Sequence, residues 1–365
     1  MKAIALFLIM CSSFSCTLKT AGNTPENQPA TAKKHAPQHT TRSPKADTLT
    51  IAMCGDIMMG TTYPTPQLPP DRGENIFRDT KPYTTAADIA VGNLEGAICD
   101  GGTTTKKGGK YSYAFRMPTD FAPLLKDAGY DFLSMANNHA FDFGEEGIRS
   151  TEQALDAQGI KYAGIAGRTE AEVIEKDGIR YGFCAFGHNR YTYKHTDLAL
   201  VKRILDELRS RCDILIVSFH GGAEGRDKRH LPYGTETFLG ENRGNLREFA
   251  HFCIDNGADV VYGHGPHVVR AVEVYNRRFI AYSLGNFCTP YGISLAGISG
   301  YAPVITIRVS NEGMFIDGQI HSFIQQRGIG PRKDANNLVA KEIKALTEAD
   351  IKDREVTIDE EGNIK

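Results

Sequence analysis

Six short polar clusters hold most of the side chains in this sequence that could do chemistry beyond packing. They are Cys54-Gly55-Asp56, Asn93-Leu94-Glu95, Asn137-Asn138-His139, His220-Gly221-Gly222, Gly263-His264-Gly265-Pro266-His267 and Gly285-Asn286. Together they offer two carboxylates, Asp56 and Glu95, an Asn-His pair, and the further histidines His220, His264 and His267. Oxygen and imidazole donors without thiolate suit zinc, manganese, iron or magnesium. Each cluster alone has a plainer use. Asp56 could close a turn, Asn137 and Asn138 could end a strand, and His220 could be a core histidine. Asp142 with Glu145 could cap the helix that follows them. His188, His195, His230, His251 and His321 read as structural or surface residues. The agreement among several clusters is what points to a metal site.

Each cluster closes an apolar run. Strands are predicted at 48–54, 87–93, 130–136, 179–186, 213–219, 258–263, 278–284 and 302–309. Helices are predicted at 119–128, 145–158, 197–211 and 244–256, with Gly129, Gly159 and Gly257 as left-handed stops after three of them. Strand–helix–strand alternation makes an α/β domain. In such folds the carboxyl ends of the strands face the crevice where ligands bind, which is where the six clusters stand.

The 365 residues carry a net charge of −2 and are 41% hydrophobic, an ordinary globular composition. No long Lys/Arg stripe exists to neutralise a phosphate backbone, which excludes a nucleic-acid partner. No apolar run reaches the roughly 18 residues of a spanning helix. Residues 1–15 read as a signal peptide, with Lys2 before a short apolar stretch. Ser13-Phe14-Ser15-Cys16 has the form of a lipidation signal, which makes Cys16 the lipid-bearing residue and the chain an exported, membrane-anchored lipoprotein of the cell envelope, periplasmic or at the cell surface. Residues 16–48, rich in Thr, Pro, Asn, Gln and Lys, are expected to be a flexible tether. The working domain is placed at 49–326. An appendage at 327–365, with a helix at 337–346 and a final strand, is expected to pack on it. The six cysteines after residue 48 show no C-x-x-C pair and read as core. Gly101-Gly102 and Gly108-Gly109 flank a Thr/Lys stretch that reads as a mobile loop near Glu95.

The ordered set GDIMMG (55–60), GNLEG (92–96), ANNHAFDFGEEGI (136–148), SFHGGAE (218–224), GADVVYGHGPHVVRAVEVY (257–275) and YSLGNF (282–287) resembles the CapA family. These are poly-γ-glutamate capsule biosynthesis proteins, a branch of the calcineurin-like metallophosphoesterase superfamily. The resemblance implies a four-layer α/β/β/α sandwich of the metallophosphoesterase type, with two divalent ions (Mn, Zn or Fe) on one edge. It implies Asp56, Glu95, Asn138, His220, His264 and His267 as metal ligands and His139 as the catalytic residue at the leaving group. Arg116, Arg226, Arg229 and Arg270 are the candidate cations for substrate. Met58 stands where the superfamily places a ligand histidine, Glu95 replaces an aspartate, and Gly265-Pro266 makes the last histidine motif one residue longer. The implied function is a metal-dependent hydrolase of phosphoesterase type, with an anionic polymer or a phosphoester as substrate and capsule synthase membrane partners. The alternative is a non-catalytic factor of capsule-polymer assembly or export, with a vestigial or structural metal site.

Overall fold

Runs such as Ile51, Met53, Ile89 and Val91 alternate with Ala52, Cys54 and Ala90, so each strand buries both of its faces, but in different places. In the computed structural model, which describes residues 48–106, 113–353 and 355–365, these runs form two large sheets. The expected signal peptide, Cys16 and all but the end of the tether lie outside the described residues, as do 107–112 of the glycine-flanked loop.

The first sheet has eight strands. Thr48–Ile57 sits at its centre, parallel to Ile89–Leu94 on one side and antiparallel to Val304–Ser310 on the other. Phe132–Ser134 and Lys161–Ala163 continue the parallel side. Phe315–His321 and Asn363–Ile364 continue the antiparallel side. The short strand Asn286–Cys288 pairs with the end of Thr48–Ile57. The second sheet has six strands, with Ile179–Phe186, Ile214–His220, Val260–His264 and Arg278–Ala281 parallel to one another.

Between the sheets, Ile51, Met53, Val91 and Phe132 pack in one apolar cluster with Phe183, Ile216, Val260 and Phe279. The rings of Phe132 and Phe183 stack at 4.7 Å across that seam. The other face of the first sheet packs Ala52, Cys54, Ala90 and Leu133 with Leu125, Ile148 and Leu155, which come from the helices Ala122–Asp127 and Gly144–Ala157. The helices Leu198–Arg209 and Leu246–Asp255 give Val201, Ile204, Leu205, Phe249 and Ala250 to the second sheet. Both start on a side-chain cap, Asp197 accepting from Leu200 N and Asn245 accepting from Glu248 N. Leu338–Asp350 contributes Val339, Ala340, Ile343 and Leu346 to the same cluster. The six cysteines among the described residues are free and buried.

Parallel register brings the polar clusters to one edge. Asp56 pairs with Asn93 and with Asn286, and His264 pairs with His220. The join at Asp56 is tight: a Cβ on Gly55 would collide with the Gly285 carbonyl oxygen, to which Asp56 N donates at 2.9 Å. Only glycine permits that approach. Gly55→Ala is therefore expected to cost about 1–3 kcal/mol of stability by overpacking. Gly101→Ala, which meets nothing within 4 Å, is the control that should leave the urea midpoint unchanged.

Candidate metal centre

Four of the six ligand-type residues implied by the sequence, Asp56, Glu95, His220 and His264, have no exposed surface. Asp56 Oδ1 lies 3.2 Å from His264 Nδ1, and Asp56 Oδ2 lies 3.0 Å from His267 Nδ1. Asn93 ties the carboxylates together, its Nδ2 donating to Asp56 Oδ1 at 2.9 Å and to Glu95 Oε2 at 2.5 Å. His220 Nε2 stands 3.5 Å from Glu95 Oε2. Asn137 fixes Asn93 in turn, donating to its Oδ1 at 3.0 Å and to Leu94 O at 2.8 Å.

His267 has a left-handed backbone, φ 57°, uncommon for a residue with a side chain. Asn286 Nδ2 holds its carbonyl at 3.0 Å. Such strain persists where neighbours over-determine the conformation.

Burial alone would raise the Asp56 carboxyl, but hydrogen bonds and charge from His264 and His267 outweigh it and hold it well below the usual carboxylate range. Burial and the repulsion of Asp56 would raise Glu95, but the charge and hydrogen bond of His220 and the charge of His139 together leave it lowered. Burial alone would lower His267, yet Asp56 and Glu95 push it up to about 10.

A cavity of about 890 Å³ opens beside this cluster, lined by Asn138, His139, Asp142 and His267 among others. His139 Nδ1 lies 2.8 Å from Asp142 Oδ2, which also accepts from Phe115 N at 2.8 Å. The Phe115 ring lies against the His139 ring, centroids 4.4 Å apart. Asp142 therefore orients the histidine and does not cap the helix, whose first turn begins after Phe143 with no side-chain cap.

Several buried polar atoms at this edge have no hydrogen-bond partner: Glu95 Oε1, Asn138 Oδ1, Asn286 Oδ1 and both ring nitrogens of His220. Unsatisfied oxygen and imidazole donors of this kind are what a divalent cation satisfies, so the residue types fit one. As arranged here the carboxylates turn toward the histidines. Among the described residues, no three His, Cys, Asp or Glu side chains converge in a way that could hold a metal ion.

Met58 is fully buried and packs in the apolar cluster that includes Phe115 and Met117. His188, read from the sequence as structural or surface, instead joins the polar cluster. Its ring stacks on His220 at 5.8 Å, and its Nε2 is 3.5 Å from Glu241 Oε2. Burial, then the charges of His220 and Arg243, push it down to about 2. Its signal is present in the sequence: Gly187-His188 closes the run 179–186 as the other clusters close theirs.

The expected substrate cations are corrected. Arg270 is fully buried and forks on Glu236 at 2.7 and 2.8 Å, with its Nε donating to Lys228 O. Arg116 donates to Thr62 and lies over the rings of Tyr63 and Phe143. Arg226 is exposed in the short turn Arg226–Lys228, and Arg229 pairs with Glu342. None of the four lines the cavity, whose cations are Lys106, Arg190 and Arg243. They stand on loops and a short hairpin, where no motif marks them.

A histidine raised on folding stabilises the fold fully below its ordinary value of 6.5, and that contribution is lost as pH rises through about 10. The metal-free full chain should therefore lose thermal stability between those values. His267→Ala should flatten the decline in a pH series of melting temperatures.

Residues 50–291 match the family model described as bacterial capsule synthesis protein PGA_cap. The PGA biosynthesis protein CapA of Bacillus subtilis (strain 168) is 28% identical over 263 residues, covering 67% of this chain and 64% of that one. The capsule biosynthesis protein CapA of Bacillus anthracis is 27% identical over 269 residues, covering 67% of this chain and 60% of that one. The chain thus spans a little under two thirds of the length of either relative. A hypothetical protein from Thermus thermophilus, of known structure, is similar at TM-score 0.48 and 15% identity, covering 76% of this chain and 99% of that one. With a family match over most of its length and the family's motifs gathered at one edge of its sheets, the chain belongs to the bacterial capsule synthesis protein family PGA_cap.

Proposed function

We propose that the chain is a metal-dependent hydrolase of the phosphoesterase type, built as a four-layer α/β/β/α sandwich and serving capsular poly-γ-glutamate synthesis at the cell envelope. A signal peptide and a lipid on Cys16 would deliver it there and hold it through the tether. The observation that carries the reading is the His139–Asp142 pair, 2.8 Å apart, lining the same cavity as His267 of the carboxylate–histidine cluster. Asp56, Glu95, Asn138, His220, His264 and His267 are the residues that would hold divalent metal. Such ions, when bound, supply Lewis-acid polarisation of a phosphoryl oxygen and a more acidic water. Asp142 fixes the His139 ring through Nδ1 and leaves Nε2 to give a proton to the leaving oxygen. Asn93 and Asn137 keep the carboxylates in place, and the buried setting strengthens each of these interactions.

One observation favours a second reading. Asp56 and Glu95 are engaged by histidines, and Met58 offers no ligand where a histidine is usual in the superfamily. A chain that keeps this pairing would serve as a non-catalytic factor of polymer assembly or export, contacting the anionic polymer or capsule synthase partners.

Metal content and turnover separate the two. The full chain reconstituted with manganese should hydrolyse a phosphomonoester, and His139→Asn should lower kcat by about 10²–10⁴-fold while metal content stays constant. Metal-loaded chain that turns over no phosphoester would leave the assembly factor.

A further inference from the structure

The cavity has a composition that the proposed reaction does not require. Phe141 and Tyr191 line it as a stacked pair, centroids 5.1 Å apart and planes 23° from parallel. The Tyr191 hydroxyl donates to Asn137 O at 3.2 Å, which anchors the pair beside the polar cluster. Phe238 and Leu239 line it as well, from the hairpin of strands Glu236–Phe238 and Glu241–Gly244.

The turn of that hairpin is Leu239-Gly240, with φ 48° and 80°. Two-residue turns of this hand favour Asn-Gly, because side chains crowd the backbone at positive φ. Leucine there is disfavoured by conformation, and being 70% exposed it gains little from burial. The hairpin is nevertheless held firmly at its base, where Glu236 accepts both arms of the Arg270 fork. An apolar side chain kept in a strained, exposed and rigidly mounted position is accounted for by contact with a ligand.

The charges point the same way. Lys106 is 3.2 Å from Asp142, and Arg243 is 2.9 Å from Glu224 and 3.0 Å from Glu241. Arg190 sits over the Phe141 ring at 5.6 Å. A polymer of carboxylates would meet Glu224 and Glu241, and at two of the three cations it would have to break these pairs.

We infer that the ester taken by this cavity carries a flat apolar group, in the simplest case an aryl phosphomonoester, seated against Phe141, Tyr191, Phe238 and Leu239, and is not a segment of polyanion. The inference rests on the hydrolase reading above for its reaction and on the cavity alone for its ligand.

The test compares 1-naphthyl phosphate with glycerol 3-phosphate on the manganese-loaded full chain and on Leu239→Asn. Asparagine suits the left-handed turn, so the hairpin is retained. The ratio of kcat/KM between the two esters should fall about tenfold in the variant, the size of a lost apolar contact. An unchanged ratio overturns the inference. If neither ester is hydrolysed, the hydrolase reading fails and calorimetry decides the ligand. Naphthyl phosphate bound by the full chain, and about tenfold more weakly by Leu239→Asn, upholds the inference. Binding of a γ-linked glutamate decamer in its place, or of neither compound, overturns it.

Discussion

A carboxylate with no exposed surface sits at the junction of the two sheets, and much of the site is arranged around it. Asp56 lies near the end of the central strand, and an ionised group there is tolerable only when its oxygens are matched by donors or opposite charge. The donors come from two other places in the chain: Asn93, and the pair His264 and His267. Removing one partner would leave a buried charge uncompensated, a loss of about 3–5 kcal/mol for pairs of this kind. The same requirement explains the second rank of residues. Asn137 holds Asn93, and Asn286 holds the backbone of His267 in its left-handed conformation. Structure and site are thus maintained by the same contacts.

Where burial and periodicity agree, the elements are legible from residues alone. The run 179–186 coincides with strand Ile179–Phe186, since aliphatic and aromatic residues fill most of it. The helix expected at 197–211 is Leu198–Arg209, its start set by the Asp197 cap. Strands at the margins carry no such signal. Ala171–Lys176 is a half-exposed edge strand, and Phe315–His321 contains Asp317 and Gly318. Asn286–Cys288 has only three residues. Each is held by its neighbour in the sheet, a force that no single segment displays.

The site divides along the same line. Asp56, Glu95, His139, His220 and His264 are visible because each follows an apolar run, and backbone register then gathers most of them. Asp142 is ambiguous in sequence because a carboxylate three residues after a histidine also stands just before a helix. The cavity's cations carry no local signal, because Lys106 and Arg190 stand on loops and Arg243 on a short hairpin. Arg270 misleads for a related reason: its position beside the histidine motif suggests substrate, while its side chain runs inward to Glu236.

The central position of Thr48–Ile57 has a consequence for how the chain acquires its shape. The first strand of the domain is flanked by Ile89–Leu94 and by Val304–Ser310, so one neighbour is close in sequence and the other is nearly the whole domain away. At synthesis rates of about 5–20 residues per second, the far neighbour emerges on the order of tens of seconds later. Until then one edge of an apolar strand has no partner, and for most of that interval His267 has not reached Asp56. The charged cluster closes only when the later part of the domain is present. Folding is thereby weighted toward a late, concerted step, the slow regime expected of long-range strand pairing.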